Sequence, residues 1–371
     1  MKASCNREGL LTAVQVAAGV IPARTPKPIL RNFKLELSKK EGATLLATDL
    51  ELGLRYKVSG VEVEEEGQAI LPSGELMKIL REVNDERLVL ESTNSGVRVA
   101  AASARFDLPG EDPLQFPEVA QFEAKGGHKI KAAMLGNMIR RTVFAVAAEN
   151  ARYALHSVLI EIDATGDARL VATDGKRLAL MPGKATLSGE APTGIHLIPP
   201  RTMSLLQKIL LDPEEEVEIA LRENEALFRT SKVTLYSRLV EGRFPKYQEV
   251  FPPKPNVQIP LPVGKFSGII RQAMIVTNEE SKGVEFNFAD GTLTLVSQSA
   301  DLGQSEVRMP ISYTGDEMKI TYDPQLILDL LRVLEPEDEI SLDLVDTKRA
   351  SVFRTRDKYE CVVMPLTRDR A

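Results

Sequence analysis

The feature that most constrains this chain is that it repeats itself. Leu45-Leu46-Ala47-Thr48-Asp49-Leu50 returns 125 residues later as Leu170-Val171-Ala172-Thr173-Asp174-Gly175, and more weakly as Leu293-Thr294-Leu295-Val296-Ser297-Gln298. Downstream of each copy comes a strand-to-helix passage. These are Ile70-Leu71-Pro72 into Leu76–Leu80, Leu197-Ile198-Pro199 into Leu206–Leu210, and Ile320-Thr321-Tyr322 into Ile327–Leu331. Phe116-Pro117, Phe244-Pro245 and Met364-Pro365 close the three copies, and helical stretches over 7–20, 131–147 and 265–277 open them. Each opening helix is followed by a strand, over 29–37, 155–162 and 283–289. One short match is weak, but four kinds of match in one order mark internal duplication. The spacing predicts three copies of one domain, over 1–124, 125–254 and 255–371. The second boundary falls in the proline-rich linker Phe251-Pro252-Pro253-Lys254-Pro255-Asn256.

Within each copy, alternating apolar and polar residues predict strands, as in Arg87–Ser92 and Glu216–Ala220. Asn94-Ser95-Gly96 and Asp290-Gly291 supply hairpin turns. Two helices among antiparallel hairpins read as an α+β domain rather than a doubly wound parallel sheet. With 43% hydrophobic residues, the 371-residue chain can bury several cores. Its apolar runs fall far short of the roughly 20 residues that a membrane span needs. Nothing behind Met1-Lys2-Ala3-Ser4 resembles a signal peptide. Two cysteines, Cys5 and Cys361, argue against a disulfide framework and for a reducing compartment. The expectation is a soluble, cytoplasmic protein.

Net charge is −6, which on its face disfavours a nucleic-acid partner. Distribution matters more. The six helical stretches hold eleven basic residues (Arg7, Lys78, Arg81, Lys131, Arg140, Arg141, Arg201, Lys208, Lys265, Arg271, Arg332) against four acidic ones (Glu8, Glu75, Glu82, Asp329). That surplus of seven leaves thirteen excess negative charges on the rest of the chain. In 324–334, Gln325, Asp329 and Arg332 share the polar face; in 200–211, Arg201, Ser204 and Lys208 do. One basic helix is ordinarily a solvated face; six with a common bias suggest a polyanion.

Enzymatic readings find little support. His128, His156 and His196 lack metal-ligand spacing, and neither a phosphate-binding loop nor a nucleophile elbow is present. Asp49 and Asp174 fall in different copies and read as turn residues. No cofactor and no metal are expected.

Taken together, the chain resembles the β subunit of bacterial DNA polymerase III, the β sliding clamps, over about 1–366. The resemblance rests on Ala47–Glu51, Val171–Ala179, Glu241-Gly242-Arg243-Phe244-Pro245-Lys246-Tyr247 and Val362–Leu366. It implies the DNA-clamp fold, three tandem domains each with two helices packed on antiparallel sheets. Two chains would form a head-to-tail dimer ring with helices lining the pore. It implies a non-catalytic processivity factor that encircles duplex DNA without sequence specificity. Such a factor would tether the catalytic subunit of the replicative polymerase, repair polymerases and other partners bearing clamp-binding peptides, and would need an ATP-dependent clamp loader. The rival reading is a protein-binding scaffold that never encloses DNA.

By resemblance, DNA is expected at Arg24, Arg141, Arg152, Tyr153 and Arg201. The plain alternatives are a solvated loop cation for Arg24 and a packing residue for Tyr153. The dimer contact is expected at Arg105, Phe106 and Leu108 on one side and Ile275 and Val276 on the other. The partner-peptide cleft is expected to comprise Leu155, Thr173, Gly175, Lys176, Arg177, Leu178, Pro245, Val250, Val362, Val363, Met364, Pro365 and Leu366. For any single Val or Leu here, core packing is the alternative. Lys176, Glu249, Ser281, Asp323 and Leu326 depart from the family's usual residues, and Thr367–Ala371 extend past the Met-Pro turn.

Overall fold

The computed structural model describes residues 1–122, 126–148, 153–189, 193–278 and 283–366. Its α-helices fall two to each sequence copy: α1 (Arg7–Ala17) and α2 (Ser73–Glu82), α3 (Ala132–Arg140) and α4 (Pro200–Ile209), and α5 (Val263–Ala273) and α6 (Pro324–Leu331). Local chemistry starts them. The Asn6 side chain accepts the Gly9 N–H at 2.9 Å at the head of α1. Asp323 does the same for Gln325 at 3.0 Å in α6, with Pro324 at the first helical position. Asp323 therefore serves as a cap, and Leu326 is buried in the core, so neither departure lines the cleft.

Among the described residues four antiparallel sheets accompany the helices, and two of them run across the sequence repeats. Strands of the first copy continue into those of the second through Leu52–Val58 and Val233–Arg238, where Leu54 pairs with Leu235. Strands of the second copy continue into the third through Arg177–Lys184 and Glu360–Val363, where Leu178 pairs with Val362. The chain thus forms two compact units. One comprises 1–136, 185–193 and 201–239; the other comprises 137–184, 194–200 and 240–371. Hydrogen-bonded ladders, rather than sequence boundaries, decide this division.

The first unit holds a nine-stranded sheet, and a five-stranded one ending at Arg105–Pro109. Leu10, Ala13, Val14 and Ala17 of α1 are fully buried, packed over the nine-stranded sheet. The second unit holds an eight-stranded sheet, and a four-stranded one ending at Gly303–Pro310. There α5 and α6 pack together over an aromatic core. Phe266 meets Phe286 edge-on at 6.3 Å and stacks on Phe353 at 6.4 Å, and Phe286 meets Tyr322 edge-on at 5.0 Å. Each fully buried Phe or Leu contributes about 1.5–3 kcal/mol.

Candidate functional site

The second unit carries an apolar cleft of about 650 Å³. Its edge is the turn between strands Asp167–Thr173 and Arg177–Lys184. Asp174 accepts the N–H groups of Lys176 at 2.9 Å and Arg177 at 3.0 Å through one carboxylate oxygen. The Thr173 hydroxyl donates to the Arg177 carbonyl at 2.6 Å and accepts the Gly175 N–H at 3.1 Å. Gly175 has φ +87, where a side chain would be strained. Arg177 then locks the turn from behind. It donates to the other Asp174 oxygen at 3.1 Å, to Asp329 of α6 at 2.7 Å and to the Phe144 carbonyl at 2.9 Å, and lies over the Phe144 ring.

Leu178 and Val362, paired across adjacent strands, make the floor with Leu155 and Tyr247. Tyr247 donates to Glu161 at 2.8 Å. Burial first, and then the Glu161 carboxylate, push its pKa up to about 12, so it stays a neutral donor. Pro245 and Val250 wall the cleft, and Met364, 40% exposed, overhangs it. Ten of the thirteen expected cleft residues line this space. Val363, Pro365 and Leu366 do not. Neighbouring side chains in a strand face opposite ways, so Val363 is fully buried behind Val362. Leu366 passes beyond the cleft, its N–H bonded to the Thr321 carbonyl at 2.8 Å.

The sequence reading missed Tyr247, the wall Phe251-Pro252-Pro253, and Lys348-Arg349-Ala350 on the turn before strand Ser351–Arg354. The proline run reads as a linker in the sequence, and its apolar content is the one signal that it could also line a cleft. Lys348-Arg349-Ala350 carry no motif. Glu249, one of the unusual positions, lies on the rim, 3.3 Å from Lys246.

The expected DNA contacts fare differently. Arg24 is exposed on the loop after α1. Arg152, Ser281 and the extension 367–371 lie outside the described residues, as does the side chain of Tyr153, whose backbone forms the 3-10 turn Tyr153–Leu155. Arg141 lies among the buried residues. It is only 7% exposed, bonded to Asp357 at 2.6 Å and set over the Tyr359 ring at 5.4 Å. Burial raises the Asp357 pKa, but the Thr355 hydroxyl and the Arg141 charge outweigh it and hold the carboxyl low. Arg201 is exposed, yet its guanidinium already holds Asp49 and the carbonyls of Gly19 and Val20. It ties α4 to the loop after α1 rather than standing free. The helical cations that reach solvent without a carboxylate partner among the described residues are Lys78, Arg81, Lys208, Lys265 and Arg271.

The expected dimer residues lie at sheet ends. Arg105, Phe106 and Leu108 belong to Arg105–Pro109, an edge strand of the five-stranded sheet, with Phe106 and Leu108 half-buried on one face. Ile275, 75% exposed, and Val276 form a 3-10 turn packed beside the edge strand Gly303–Pro310. An unpaired edge beside an exposed isoleucine invites another strand. Among the described residues no group of His, Cys, Asp and Glu could hold a metal ion, and no helix is long and apolar enough to cross a membrane.

Comparison with known proteins agrees along the whole chain. Residues 1–120 match the N-terminal domain of the DNA polymerase III beta subunit family, 129–246 its central domain, and 248–367 its C-terminal domain. The beta sliding clamp of Chlamydia pneumoniae is 29% identical, with 99% of each chain covered. That of Pseudomonas putida is 28% identical, over 99% of this chain and 100% of its own. Among solved structures, the DNA polymerase sliding clamp of Bacillus subtilis superimposes with a TM-score of 0.92 at 25% identity, over 99% of both chains. The DNA polymerase III subunit beta of Pseudomonas aeruginosa gives 0.91 at 27% identity, over 99% of this chain and 100% of that one. The chain therefore belongs to the DNA polymerase III beta subunit family, the beta sliding clamps.

Proposed function

We propose that two copies of this chain close head to tail into a ring around duplex DNA and tether a replicative polymerase to it. The protein is a non-catalytic DNA sliding clamp, a processivity factor of DNA replication. The observation that best supports the ring is the three-copy chain with exposed cations on five helical positions (Lys78, Arg81, Lys208, Lys265 and Arg271) that have no carboxylate partner among the described residues, in an otherwise acidic molecule. Phosphates present one charge per roughly 1.7 Å of duplex axis, and cations that meet them carry no sequence information. Contact without readout permits sliding. Arg24 belongs to the same surface in this reading, and Arg152 and Tyr153 remain its expected members.

In the proposed ring, strand Arg105–Pro109 of one copy pairs with strand Gly303–Pro310 of the other, with Ile275 meeting Phe106 and Leu108. The three domains divide near 1–124, 125–254 and 255–371. The cleft takes short partner peptides by their apolar side chains, from the polymerase catalytic subunit, repair polymerases and similar proteins. Its apolar lining suits a leucine or aromatic anchor, and Met364 adapts to either. An ATP-dependent loader follows from the topology, since a closed ring cannot thread onto a circle unaided. A cytoplasmic setting belongs to the same reading.

The deciding experiment is topological. Labelled protein loaded on a nicked circle should stay bound in high salt and be lost once the circle is linearised. Retention that does not change on linearisation identifies a scaffold that does not encircle DNA.

A further inference from the structure

The two repeat junctions are built alike, and only one has been given a role. Strand Leu52–Val58 pairs with Val233–Arg238 so that Gly53 faces Tyr236. This is the register in which Leu178 faces Val362, 125 residues on from Gly53. The turn ahead of it is the same turn. Thr48 donates to the Leu52 carbonyl at 2.9 Å and accepts the Leu50 N–H at 3.0 Å, while Asp49 accepts the N–H groups of Glu51 and Leu52 at 3.0 and 2.7 Å. A cavity of about 470 Å³ lies over it, bounded by Leu50, Val119 and Tyr236 together with Glu118 and the ion-paired Arg222 and Glu225.

Two features separate it from an ordinary crevice. Leu50 occupies the place of Gly175 with φ +83, a left-handed backbone that leucine rarely adopts, and is 45% exposed at the cavity mouth. A strained, exposed apolar residue at a pre-formed turn points to use rather than packing. Gln121 also lines an adjoining groove of about 490 Å³ in which Lys40, Lys57 and Lys232, none ion-paired among the described residues, outnumber the one carboxylate, Glu41. Its two arginines are occupied, Arg55 by Glu36 and Arg229 by Glu218.

We propose that the first junction is a second docking site, for an acidic peptide segment with one apolar anchor. The anchor sits against Leu50, Val119 and Tyr236, and the acidic flank runs along Lys57 and Lys232. By analogy it rests on the peptide reading of the first-described cleft, yet it differs in demanding acidic charge.

The test uses the full-length protein and a photo-crosslinking peptide with aspartates ahead of a single leucine, the sites being mapped by mass spectrometry. Saturable crosslinks are expected within 118–122 and 233–238. Leu50→Gly, and separately the Lys57→Glu/Lys232→Glu pair, should each weaken them at least about fivefold, the loss expected for an interface anchor. The melting temperature of Leu50→Gly should hold or rise, because glycine relaxes the turn. No crosslinks there, insensitivity to both changes, or equal labelling by a lysine-for-aspartate peptide would overturn the proposal. So would labelling by a photoreactive single-stranded oligonucleotide in place of the peptide. Crosslinks at 245–253, lost in Met364→Ala, report the other cleft separately, so either reading can fail alone.

Discussion

Arg141 and Lys208 are both helical or helix-flanking cations of the same sequence surplus, yet they have opposite fates. Arg141 is buried against Asp357, while Lys208 extends into solvent. Arg141→Ala should therefore cost about 1–2 kcal/mol in urea unfolding, because it removes a buried guanidinium that packs on the Tyr359 ring and pairs with the exposed Asp357 carboxylate. It should leave the salt dependence of DNA binding unchanged. Lys208→Ala should do the reverse, leaving stability within about 0.5 kcal/mol and lowering the log–log salt slope by about 0.9. A slope change in Arg141→Ala would put its guanidinium back at the DNA. In the cleft, Met364→Ala should weaken a polymerase-derived peptide by about 1–2 kcal/mol in fluorescence anisotropy. Unchanged affinity would remove Met364 from the site. Asp49 and Asp174 were readable as turn residues, because an aspartate that accepts its own downstream N–H groups is a local interaction. Arg177 was readable only as a cleft residue. Its ties to Phe144 and Asp329 lie 33 and 152 residues away.

At the scale of elements, the hydrophobic periodicity located the helices and the strands that follow them. Chain ends of sheets were less legible. Arg105–Pro109 alternates exposed and half-buried residues, like many strands whose second face is covered, and nothing local says that its outer edge has no partner. If that edge pairs with Gly303–Pro310 of a second copy, Phe106→Asp should convert the dimer to monomer in sedimentation velocity, with the melting profile of the separate chain retained. A dimer that persists at micromolar concentration would place the interface elsewhere. The linker Phe251–Pro253 shows the converse error. Its prolines cannot donate to a ladder, which makes a spacer the natural reading, but their rings wall the cleft.

For the whole molecule, alkali is the informative stress. Burial raises the Cys5 and Cys361 thiols from 9.0 to about 12, and burial with Glu161 raises Tyr247 from 10.0 to about 12. The unfolded chain ionises these groups first. Stability is therefore fully present below about pH 9 and is lost as pH climbs toward about 12, by at most about 1.4 kcal/mol per pH unit for each group. Melting temperatures between about pH 8 and 10.5 should fall less steeply in a Cys5→Ala/Cys361→Ala protein than in the unaltered one. Parallel curves would mean that the thiols ionise without unfolding.

The sequence by itself determined the three copies, their α+β character, the turn chemistry and the cationic bias of the helices. All of these rest on interactions between residues close along the chain. Only the tertiary structure decided that ladders such as Leu54 with Leu235 join the copies, so that three repeats make two compact units. It also decided that Arg141 and Arg201 hold carboxylates while Lys208 and Lys265 have none as partners among the described residues, and that a proline linker becomes a cleft wall. Those outcomes depend on partners far away in sequence, whose positions no local pattern encodes.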